Sequence, residues 1–496
     1  MTKLTEITNR VLNPAAGDLL YIVDVSDTTE GPAGTSGYTT PGDLLQTTAM
    51  SFASRAAAAA ATIPAGTTRL FAGGLAYVED VSGTALQSAD GRKWSPDRIA
   101  IYEHWGAVGN GTTDDTVAIR AAHDWCMRND VQLRPLGHTY RVSGTILDYN
   151  RARDGDLTFN LIGDGRKRTT FSVTTALSDF LFKIVGNTGD FGASHGRFWT
   201  IQEIRVQSNG NATCDVFQID CADRVDLIRV AITNCRGYAV LGREWWDSRC
   251  DIVTTQCGDD GLGANSGSNG VTPVPAYQKE AVRLDKYFGT PNTQGGSNNI
   301  YFPPTTQIEA MRWRAVYFGP ATAKCHFYGK IHGNQDITVT EPHILLDGAD
   351  SNLIIGCNFA ATDSVVIRLV ANGGLEPNEN IIIGNSFKFN SGNAVEIVGG
   401  RRNIVCGNHF RGAPGGFGVL VTGSSSSENQ VVGNTVSNGV EEMSVEGDGM
   451  TAPLRVPFVL GFARPGGGID LRAPNGSLHR LAVNSNGVLT LNGQPV

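Results

Sequence analysis

The sequence lacks the short motifs of the common metal-dependent and nucleotide-dependent enzymes. Its nine cysteines include no C-x-x-C pair, and an odd number without metal-ligand spacing argues against a zinc site or a disulfide framework. None of the nine histidines lies in an H-E-x-x-H motif, and the chain contains neither a P-loop nor a dinucleotide-binding fingerprint. The sequence therefore predicts buried free thiols, with no metal and no cofactor.

Long apolar segments are also missing. Residues 1–10 are polar and have no apolar core, so we expect no secretory signal peptide. The apolar run at residues 56–61 is far shorter than the ~20 residues that a membrane helix needs, so we expect no membrane insertion. A protein without an export signal can still act outside a cell if it leaves by lysis inside a virus particle.

An excess of positive charge is absent as well. The chain has 40 Lys and Arg against 48 Asp and Glu, a formal net charge of -8, which makes nucleic acid a poor candidate partner. What the chain does have is a hydrophobic fraction of 41%, enough for a sizeable core, together with 61 Gly and 20 Pro. That composition favours many tight turns between short strands over long helices.

The first 98 residues predict two small segments. Residues 18–25 predict a strand, a Gly-rich loop follows at 30–37, and Thr40 and Pro41 suit the N-cap and first turn of a helix. An Ala-rich stretch at 54–61 predicts a short helix, followed by short alternating pieces. We therefore expect one module at residues 1–48, and at 49–98 a neck or linker with a short helix and a small β segment.

A turn followed by a helix is predicted where the main body begins. Residues 105–116 contain three glycines and an asparagine, and Thr113 or Asp114 is suited to cap the helix that follows. The apolar residues after this turn share one helical face, made of Ala118, Ile119, Ala122, Trp125 and Cys126. That face needs a surface to cover, and the end of a stack of β-strands is a good candidate.

An eight-residue pattern recurs in the last third of the chain. It begins at Asn352, Asn380, Asn403 and Asn429, in steps of 28, 23 and 26 residues. Variable steps around a constant pattern are typical of a solenoid whose loops differ from coil to coil. In each copy apolar residues flank a bend that starts with glycine, which predicts strand, bend and strand, with Asn at the bend paired to Asn of the neighbouring coil.

Looser copies of the pattern lie closer to the N-terminus. Cys235 and Cys257 are 22 residues apart in similar contexts, about the length of one β-helix coil, so we expect both at interior ladder positions. From about residue 452 the chain shows alternating strands and turns, such as 468–472 and 486–491. We expect residues 446–496 to form an all-β module that caps the last coil or holds a trimer together.

The segment at residues 105–115, with its helix and then residues 137–142, resembles the opening of the pectin-lyase-like superfamily, and especially phage tailspike and tail-fibre proteins. The resemblance implies an all-β chain with a right-handed parallel β-helix at residues 99–445. Residues 18–25 with Leu44 and Leu45 are similar to the virion-attachment segments of phage tail proteins. Members of the family are usually homotrimers.

By this resemblance the protein is a tailspike of the virion, assembled in the host cytoplasm and released by lysis. It would attach to phage tail or baseplate proteins through residues 1–48 and bind bacterial surface polysaccharide, capsule or O-antigen, with its β-helix. Three alternatives stay open: a depolymerase that is a hydrolase or a lyase, a fibre that only binds its receptor, and a cellular polysaccharide-degrading enzyme. The N-terminal segment counts against the third.

The richest candidate site is the segment Glu244, Trp245, Trp246 and Asp247, followed by Asp251 and then by Asp259 and Asp260. Glycoside hydrolysis needs two carboxylates, and sugar rings pack on flat aromatic side chains. We therefore assign Glu244, Asp247, Asp259 and Asp260 to catalysis and the two tryptophans to glycan binding. The alternative is that a tryptophan packs in a trimer interface while the acids are solvated turn residues.

A second candidate combines Glu309 as a catalytic acid with Arg312 and Trp313 as glycan-binding residues, close to Arg314. Arginines beside a tryptophan suit an acidic glycan through bidentate contacts and stacking. The alternative is that Glu309 is a salt-bridged coil residue.

The tripeptide Gly258, Asp259 and Asp260 also occurs in polygalacturonases of this fold. Their other motifs do not follow here, because the only downstream His-Gly, at His332, lies 72 residues after Asp260 and the chain has no Arg-Ile-Lys. We therefore do not expect a polygalacturonase.

Overall fold

The structure is a computed structural model, and its chain divides into two compact units, residues 1–107 and 108–496. It describes residues 20–24, 35–39, 49–97, 99–186, 199–208, 214–260, 278–286, 296–311, 313–334, 341–362, 365–389, 392–412, 417–423, 425–437, 441–446, 468–472, 478–483, 489–491 and 494–495. The helix start predicted at Thr40 and Pro41 lies outside these residues. Among the described residues, no helix is both long enough and apolar enough to cross a bilayer.

The first unit contains one antiparallel strand pair and one small sheet. Leu20–Asp24 pairs with Thr35–Thr39. The five-stranded sheet is formed by Ala49–Phe52, Arg69–Ala72, Leu75–Glu79, Leu86–Gln87 and Lys93–Pro96, and the fully buried Trp94 and Tyr77 belong to its core. The predicted Ala-rich helix is present at Arg55–Ala59, where Ser54 caps it by accepting a hydrogen bond from Ala57 N at 3.1 Å. A 3₁₀ helix follows at Tyr102–Trp105.

The second unit is a right-handed parallel β-helix, as predicted. Each coil contributes strands to three faces, and on every face a strand pairs in parallel with the strand one coil further along the chain. Two long strands, Val225–Thr233 and Val240–Thr255, bend from one face to the next and therefore pair on more than one face. Parallel strands that are joined by right-handed connections produce this architecture.

The three faces are named here by their strands. Face 1 contains Leu147–Asn150, Phe182–Val185, Phe217–Asp223, the start of Val240–Thr255, Val282–Asp285, Val316–Phe318, Ile344–Asp347, Ile367–Val370, Val395–Val398, Phe417–Thr422 and Glu441–Glu446. Face 2 contains Phe159–Ile162, Trp199–Gln202, the start of Val225–Thr233, the middle of Val240–Thr255, Asn298–Phe302, His326–Phe327, Leu353–Ile355, Ile381–Ile383, Ile404–Cys406 and Gln430–Val432. Face 3 contains Asn110–Asp114, Thr139–Val142, Thr170–Val173, Arg205–Ser208, the ends of Val225–Thr233 and Val240–Thr255, Gln307–Met311, Lys330–Asn334, Asn358–Thr362, Ser386–Phe389, His409–Arg411 and Thr435–Ser437.

Two columns of buried asparagines run along the bends of the last coils, which confirms the predicted pairing. Between faces 1 and 2, Nδ2 of Asn352, Asn380 and Asn403 each donates to Oδ1 of the next asparagine at 3.0–3.1 Å, ending at Asn429. Each Oδ1 also accepts from a main-chain N–H at 3.0 Å. A second column between faces 2 and 3 joins Asn385, Asn408 and Asn434 in the same way.

The residue before each of these asparagines has a left-handed backbone. In the second column it is a glycine, with φ of +65° at Gly384 and +63° at Gly407. In the first column it is a side-chain-bearing residue, as at Glu379 with φ of +57°, so the chain accepts backbone strain there. The buried amide hydrogen bonds that follow compensate for that strain.

The interior repeats the same side-chain type from coil to coil. The rings of Phe359, Phe387 and Phe410 lie one above another on face 3, with centroids 4.9 and 5.1 Å apart. Cys235 and Cys257 are fully buried, as predicted for interior ladder positions. Hydrogen bonds with the thiols of Cys214 and Cys257, together with burial, raise the pKa of the Cys235 thiol. All nine cysteines are free, and eight of them are buried.

The predicted helix is present at Thr116–Asn129 and covers the first coil. Its buried residues include Ile119, Ala122, Trp125 and Cys126, and His123 Nδ1 lies 2.8 Å from the carbonyl oxygen of Ile146. Asp115 takes the N-cap position, and the predicted Asp114 caps the helix with its side chain, whose Oδ1 accepts from Thr116 N at 3.0 Å. The Asp115 carboxylate accepts from the main-chain N–H groups of Val108 and Gly109 instead, and therefore holds the preceding glycine turn.

The C-terminal residues form a small antiparallel sheet, as predicted for an all-β end module. Its strands are Gly468–Arg472, Leu478–Val483, Leu489–Leu491 and Gln494–Pro495, and each pairs with the next. The parallel stacking of the body continues to the strand Glu441–Glu446, which pairs with Phe417–Thr422.

Replacing Asn403 by alanine should destabilise the body. The change removes the acceptor of two buried N–H donors of Asn380 and one donor to Asn429, and each buried polar group left unpaired costs about 1–3 kcal/mol. We expect a lower thermal midpoint by circular dichroism. Gln430→Ala, on an exposed side chain of the adjacent strand, is the control, and equal midpoints for the two variants would contradict the role of the column.

The buried His343 should make stability depend on pH. It is 0% exposed, both ring nitrogens lack a hydrogen-bond partner among the described residues, and burial lowers its pKa from 6.5 to about 4. Between about pH 6.5 and 4 the imidazole is therefore protonated in the unfolded chain but neutral in the folded chain. The free energy of unfolding has its full value above pH 6.5 and decreases by about 1.4 kcal/mol for each pH unit below it. His343→Leu should retain about 2 kcal/mol more stability than the wild type at pH 5 relative to pH 7.5. The same acid-induced loss in His343→Leu and in the exposed control His409→Leu would contradict this assignment.

Candidate functional site

A group of charged and partly buried side chains lies on the outer surface of face 1, over five consecutive coils. Strand register places Asp220, Arg243 and Asp285 in one row and Arg283 beside Tyr317 in the next. We call the following residues the face 1 cluster: Asp220, Arg243, Glu280, Arg283, Asp285, Arg314, Tyr317 and Asp347. Because neighbouring strands are about 4.8 Å apart, these side chains can contact each other across coils.

Arg283 is the centre of the cluster. Its Nη2 lies 2.8 Å from Oδ2 of Asp285, its Nη1 lies 3.3 Å from Oε2 of Glu280, and its guanidinium carbon is 4.1 Å from the ring centroid of Tyr317. Both acid side chains are only 2% exposed, whereas that of Arg283 is 27% exposed. The guanidinium is therefore held flat between buried carboxylates and an aromatic ring, with one side toward solvent.

Arg314 extends the cluster on the next coil. It lies 3.1 Å from Oε1 of Glu280 and 2.8 Å from Oε2 of Glu341, so Glu280 binds two arginines at once. Its guanidinium carbon is 5.5 Å from the ring of the half-buried Trp313 and 5.9 Å from that of Tyr317. Shared carboxylates and rings make Arg283 and Arg314 one connected network.

The edges of the cluster are equally well paired. On one side Arg243 Nε donates to Asp220 at 2.7 Å, and Gln218 also donates to that carboxylate. On the other side the Tyr317 hydroxyl donates to Asp347 at 2.8 Å. Asn372 donates to the same Asp347 oxygen, also at 2.8 Å. Among the described residues, every acid of the cluster accepts a hydrogen bond or forms an ion pair.

The electrostatics of the cluster keep the Arg283 guanidinium charged and the phenols of Tyr317 and Tyr238 protonated. Burial works against the charge of Arg283, but Glu280 and Asp285 outweigh it and raise its pKa. Burial, and then the hydrogen bond to Asp347, raise the pKa of Tyr317. Burial, and then the charge of Glu280, raise the pKa of the neighbouring Tyr238 to about 12. At neutral pH these groups donate hydrogen bonds.

The Asp285 carboxylate lies close to where a side chain at position 319 would begin, so glycine is needed there. A Cβ at this position would lie 2.5 Å from Oδ1 of Asp285 and 2.6 Å from the ring of Tyr317. The connection that follows Asp285 is also long, since 12 residues separate Val282–Asp285 from Asn298–Phe302, against five between Ile344–Asp347 and Leu353–Ile355. Long connections beside a regular scaffold are where binding surfaces are commonly built.

The site predicted around Glu244 and Trp245 is not assembled. Trp245 is 0% exposed, so it packs inside the β-helix and cannot present a ring to a sugar; its assignment to glycan binding was wrong. Glu244 is buried at the bend between faces 1 and 2, where the Cys221 thiol lies 3.5 Å from its Oε2. A strand that turns a corner points successive side chains inward and outward irregularly, which the sequence pattern did not reveal.

The other acids of that segment lie apart. Asp247 is exposed and accepts from Asn299 Nδ2 at 2.7 Å. Asp251 is buried, paired with Arg249 at 3.0 Å and with the Thr305 hydroxyl at 2.8 Å. Both therefore have structural partners on the following coil or on their own strand.

Trp246, Asp259 and Asp260 have different surroundings. Trp246 is half-buried and donates from Nε1 to the carbonyl oxygen of Gly296 at 3.0 Å. Asp259 and Asp260 form a short strand that pairs in antiparallel fashion with residues 278–279.

Glu309 lies on face 3, in register with Thr255 and His332, and accepts from the amide of Gln307. Its charge acts to raise the pKa of His332, although burial and then Lys330 lower that pKa overall. Trp313 contributes to the face 1 cluster through its contact with Arg314, whereas Arg312 lies outside the described residues.

The residues of the face 1 cluster were missed by the sequence interpretation, although a signal was present. In three strands of face 1 an aspartate follows three residues that are mostly apolar: Phe217-Gln-Ile-Asp220, Val282-Arg-Leu-Asp285 and Ile344-Leu-Leu-Asp347. An acid at the same place in several coils predicts a row of carboxylates on one edge of a face. The described residues contain no group of three or more His, Cys, Asp or Glu arranged to hold a metal ion.

No family model matches the chain, and no curated protein sequence matches it significantly. Among solved structures it is similar to ORF18 of Geobacillus virus E2, with a TM-score of 0.53 and 16% identity over 89% of this chain and 78% of that one. The A-module of the Azotobacter vinelandii mannuronan C-5 epimerase AlgE4 follows with a TM-score of 0.46 and 14% identity, over 71% and 100%. Tailspike protein 3 of bacteriophage CBA120 has a TM-score of 0.36 and 12% identity, over 85% and 73%. At 16% identity, the similarity to the Geobacillus virus E2 protein is a similarity of fold, and it agrees with the predicted parallel β-helix.

Proposed function

We propose that the protein is a tailspike-type receptor-binding protein that binds bacterial surface polysaccharide, capsule or O-antigen, on face 1. The observation that carries the proposal is the Arg283 network, in which buried carboxylates and an aromatic ring fix a partly exposed guanidinium. Sugars are recognised by fixed hydrogen-bond donors and by flat aromatic or guanidinium surfaces. A side chain fixed before binding loses little entropy when a glycan docks on it.

The charge balance of the cluster indicates what kind of contact it makes. Each of Arg243, Arg283 and Arg314 is already bonded to a carboxylate of the same chain. The surface therefore offers directed N–H donors rather than a net positive charge, which suits hydroxyl and carbonyl oxygens of a sugar chain. The sequence had suggested an acidic glycan beside Arg312 and Trp313. A neutral sugar surface fits better, because Glu280 and Glu341 neutralise Arg314, which lies beside Trp313.

The rest of the proposed role follows from the order of the modules. Residues 1–48 attach the protein to tail or baseplate proteins of a phage, and the β-helix supplies the binding surface. The protein is then a virion component, assembled in the host cytoplasm and released by lysis.

We further propose that the protein is a homotrimer and that face 2 of the last four coils lies in its interface. There the side chains that point outward are mostly apolar and half-buried: Leu353, Ile355, Ile381, Ile383, Ile404, Cys406 and Val432. The outward positions of face 3 in the same coils are polar, such as Lys388, His409 and Arg411. An apolar surface of this length is unfavourable in water and is typical of an interface between subunits.

The binding surface is tested by Arg283→Lys. The change keeps the charge but removes the planar fork that Asp285, Glu280 and Tyr317 hold, so we expect binding to weaken about tenfold or more. Affinity is measured by surface plasmon resonance against a panel of purified bacterial capsular and O-antigen polysaccharides. Arg368→Lys is the matched control, because Arg368 lies in the same row of face 1 two coils beyond Tyr317 and is likewise paired, with Glu396. Equal affinities of the two variants would contradict a binding role for Arg283.

The interface is tested by Ile381→Glu. A wild-type trimer has three times the chain mass of 52.7 kDa in analytical ultracentrifugation. A carboxylate in an apolar interface is costly to desolvate, so we expect the variant to dissociate at micromolar concentration while its circular dichroism spectrum stays unchanged. Lys388→Glu, on the exposed surface of face 3 in the same coil, is the control. A monomeric wild type, or a trimer that is unaffected by Ile381→Glu, would disprove the proposed interface.

A further inference from the structure

A tight turn beside the face 1 cluster carries the exposed pair Asn372 and Gly373. The main chains of Asn372 and Leu375 close the turn with hydrogen bonds of 2.8 and 2.9 Å. Gly373 and Gly374 form its tip and have left-handed backbones, with φ of +57° and +84°. Asparagine is a chemically labile residue, above all before glycine, which has no side chain to hinder its own main-chain nitrogen.

The turn belongs to an insertion that reaches back to the preceding coil. Ten residues separate Ile367–Val370 from Ile381–Ile383, whereas five residues separate the equivalent strands of the coil before and of the coil after. Nδ2 of Asn372 donates to Oδ2 of Asp347 at 2.8 Å, and the same oxygen accepts from the Tyr317 hydroxyl. The insertion therefore adds a hydrogen-bond donor to the edge of the face 1 cluster.

The surroundings of Asn372 leave its side-chain amide accessible to the next main-chain nitrogen. Among the described residues, the bond to Asp347 is the only hydrogen bond of the Asn372 side chain, and the Gly373 N–H has no partner. A Cβ at Gly373 would meet no atom within 4 Å, so the space around the two residues is open. Closing a ring between them requires one side-chain hydrogen bond to break and displaces no neighbour.

The other Asn-Gly pair among the described residues, Asn110 and Gly111, has the opposite surroundings. Asn110 is also exposed, but its Oδ1 accepts from the main-chain N–H groups of Thr112 and Thr113 at 2.9 and 2.8 Å, and its Nδ2 donates to the Thr113 hydroxyl at 3.1 Å. A Cβ at Gly111 would lie 3.3 Å from the side chain of Thr139. The chain thus contains an internal control with the same two residues and a different geometry.

We propose that Asn372 is a modification site, at which water converts the side-chain amide into a carboxylate, and that the new charge weakens the binding surface of face 1 as the protein ages. The modification stands on the geometry of the turn, and its effect on binding rests on the proposed glycan-binding function. A carboxylate at position 372 cannot donate to Asp347 and repels it. The Asp347 oxygen that holds the Tyr317 hydroxyl must then move away or share a proton with the new acid.

The reaction consumes one water molecule and releases one ammonia. The main-chain nitrogen of Gly373 loses its proton to a solvent base and attacks Cγ of Asn372, which forms a five-membered succinimide ring. The bond from Cγ to Nδ2 breaks, and that nitrogen takes a proton and leaves as ammonia. Water then adds to one of the two ring carbonyls and opens the ring, which gives aspartate or isoaspartate at position 372.

The modification is tested by incubating the full-length protein at mildly alkaline pH and mapping its peptides by mass spectrometry over time. We expect the mass change from NH2 to OH at Asn372, with both aspartate and isoaspartate present, at a rate about tenfold or more above that at Asn110. In Asn372→Gln the ring would need six members, so the change at this position should be at least tenfold slower. Equal rates at Asn372 and Asn110, or no change at Asn372, would overturn the modification site and leave glycan binding intact.

The effect on binding is measured by surface plasmon resonance against the same panel of polysaccharides. Asn372→Asp creates one product directly and should bind about tenfold more weakly than the wild type. Asn358→Asp is the matched control, because it adds the same charge on the exposed surface of face 3 and should bind as the wild type does. Incubated wild type should lose affinity as position 372 is modified, whereas incubated Asn372→Gln should keep its starting affinity.

The outcomes separate this inference from the proposed function. Equal affinities of Asn372→Asp and Asn358→Asp, with binding by the wild type, would overturn the effect of the modification and leave glycan binding intact. Absence of wild-type binding to every polysaccharide would overturn the proposed function and the effect on binding together. The peptide map decides the chemistry at Asn372 in either case, because it requires no glycan.

Discussion

The constraint on which the rest of the structure depends is the register between successive coils. Parallel main-chain hydrogen bonds leave the same residue position above itself from coil to coil, and the buried asparagine columns fix this register at the bends. A slip of one residue would turn every interior side chain outward. Because the bends are fixed, the chain between them can change length without disturbing the faces.

That register explains how a charged surface is built on a β-helix. Acids at equivalent strand positions of face 1 form a row that also contains Arg243, and Arg283 of the neighbouring row lies within reach of Asp285. The carboxylates are buried under the arginines, so each guanidinium is bound from below and open on one side. Two buried negative charges near Arg283 would be costly alone, and the two arginines and the ring of Tyr317 compensate for them.

The sequence predicted the fold more completely than the site, because the fold produces a repeat along the sequence whereas the site joins residues that are far apart in it. The repeat that begins at Asn352 reflects the stacking of every coil, so periodicity alone predicts strands, bends and asparagine pairing. The helix that begins at Thr116 was likewise predicted from its apolar face and from the capping side chain of Asp114. Site residues such as Glu280 and Arg314 belong to different coils, and only register brings them together. Trp245 shows the limit most directly, since its inward direction depends on where one long strand turns a corner.

The helix at Thr116–Asn129 covers the N-terminal end of the β-helix, so coils can fold in order from that end. The buried face of the helix packs on the first coil, and the strands of each later coil pair with strands of the coil before it. Synthesis delivers the chain in that same order, so every coil can be completed on a template that has already left the ribosome. A long chain whose contacts are nearly all between neighbouring coils thereby avoids the distant pairings that make other large β-proteins slow to fold.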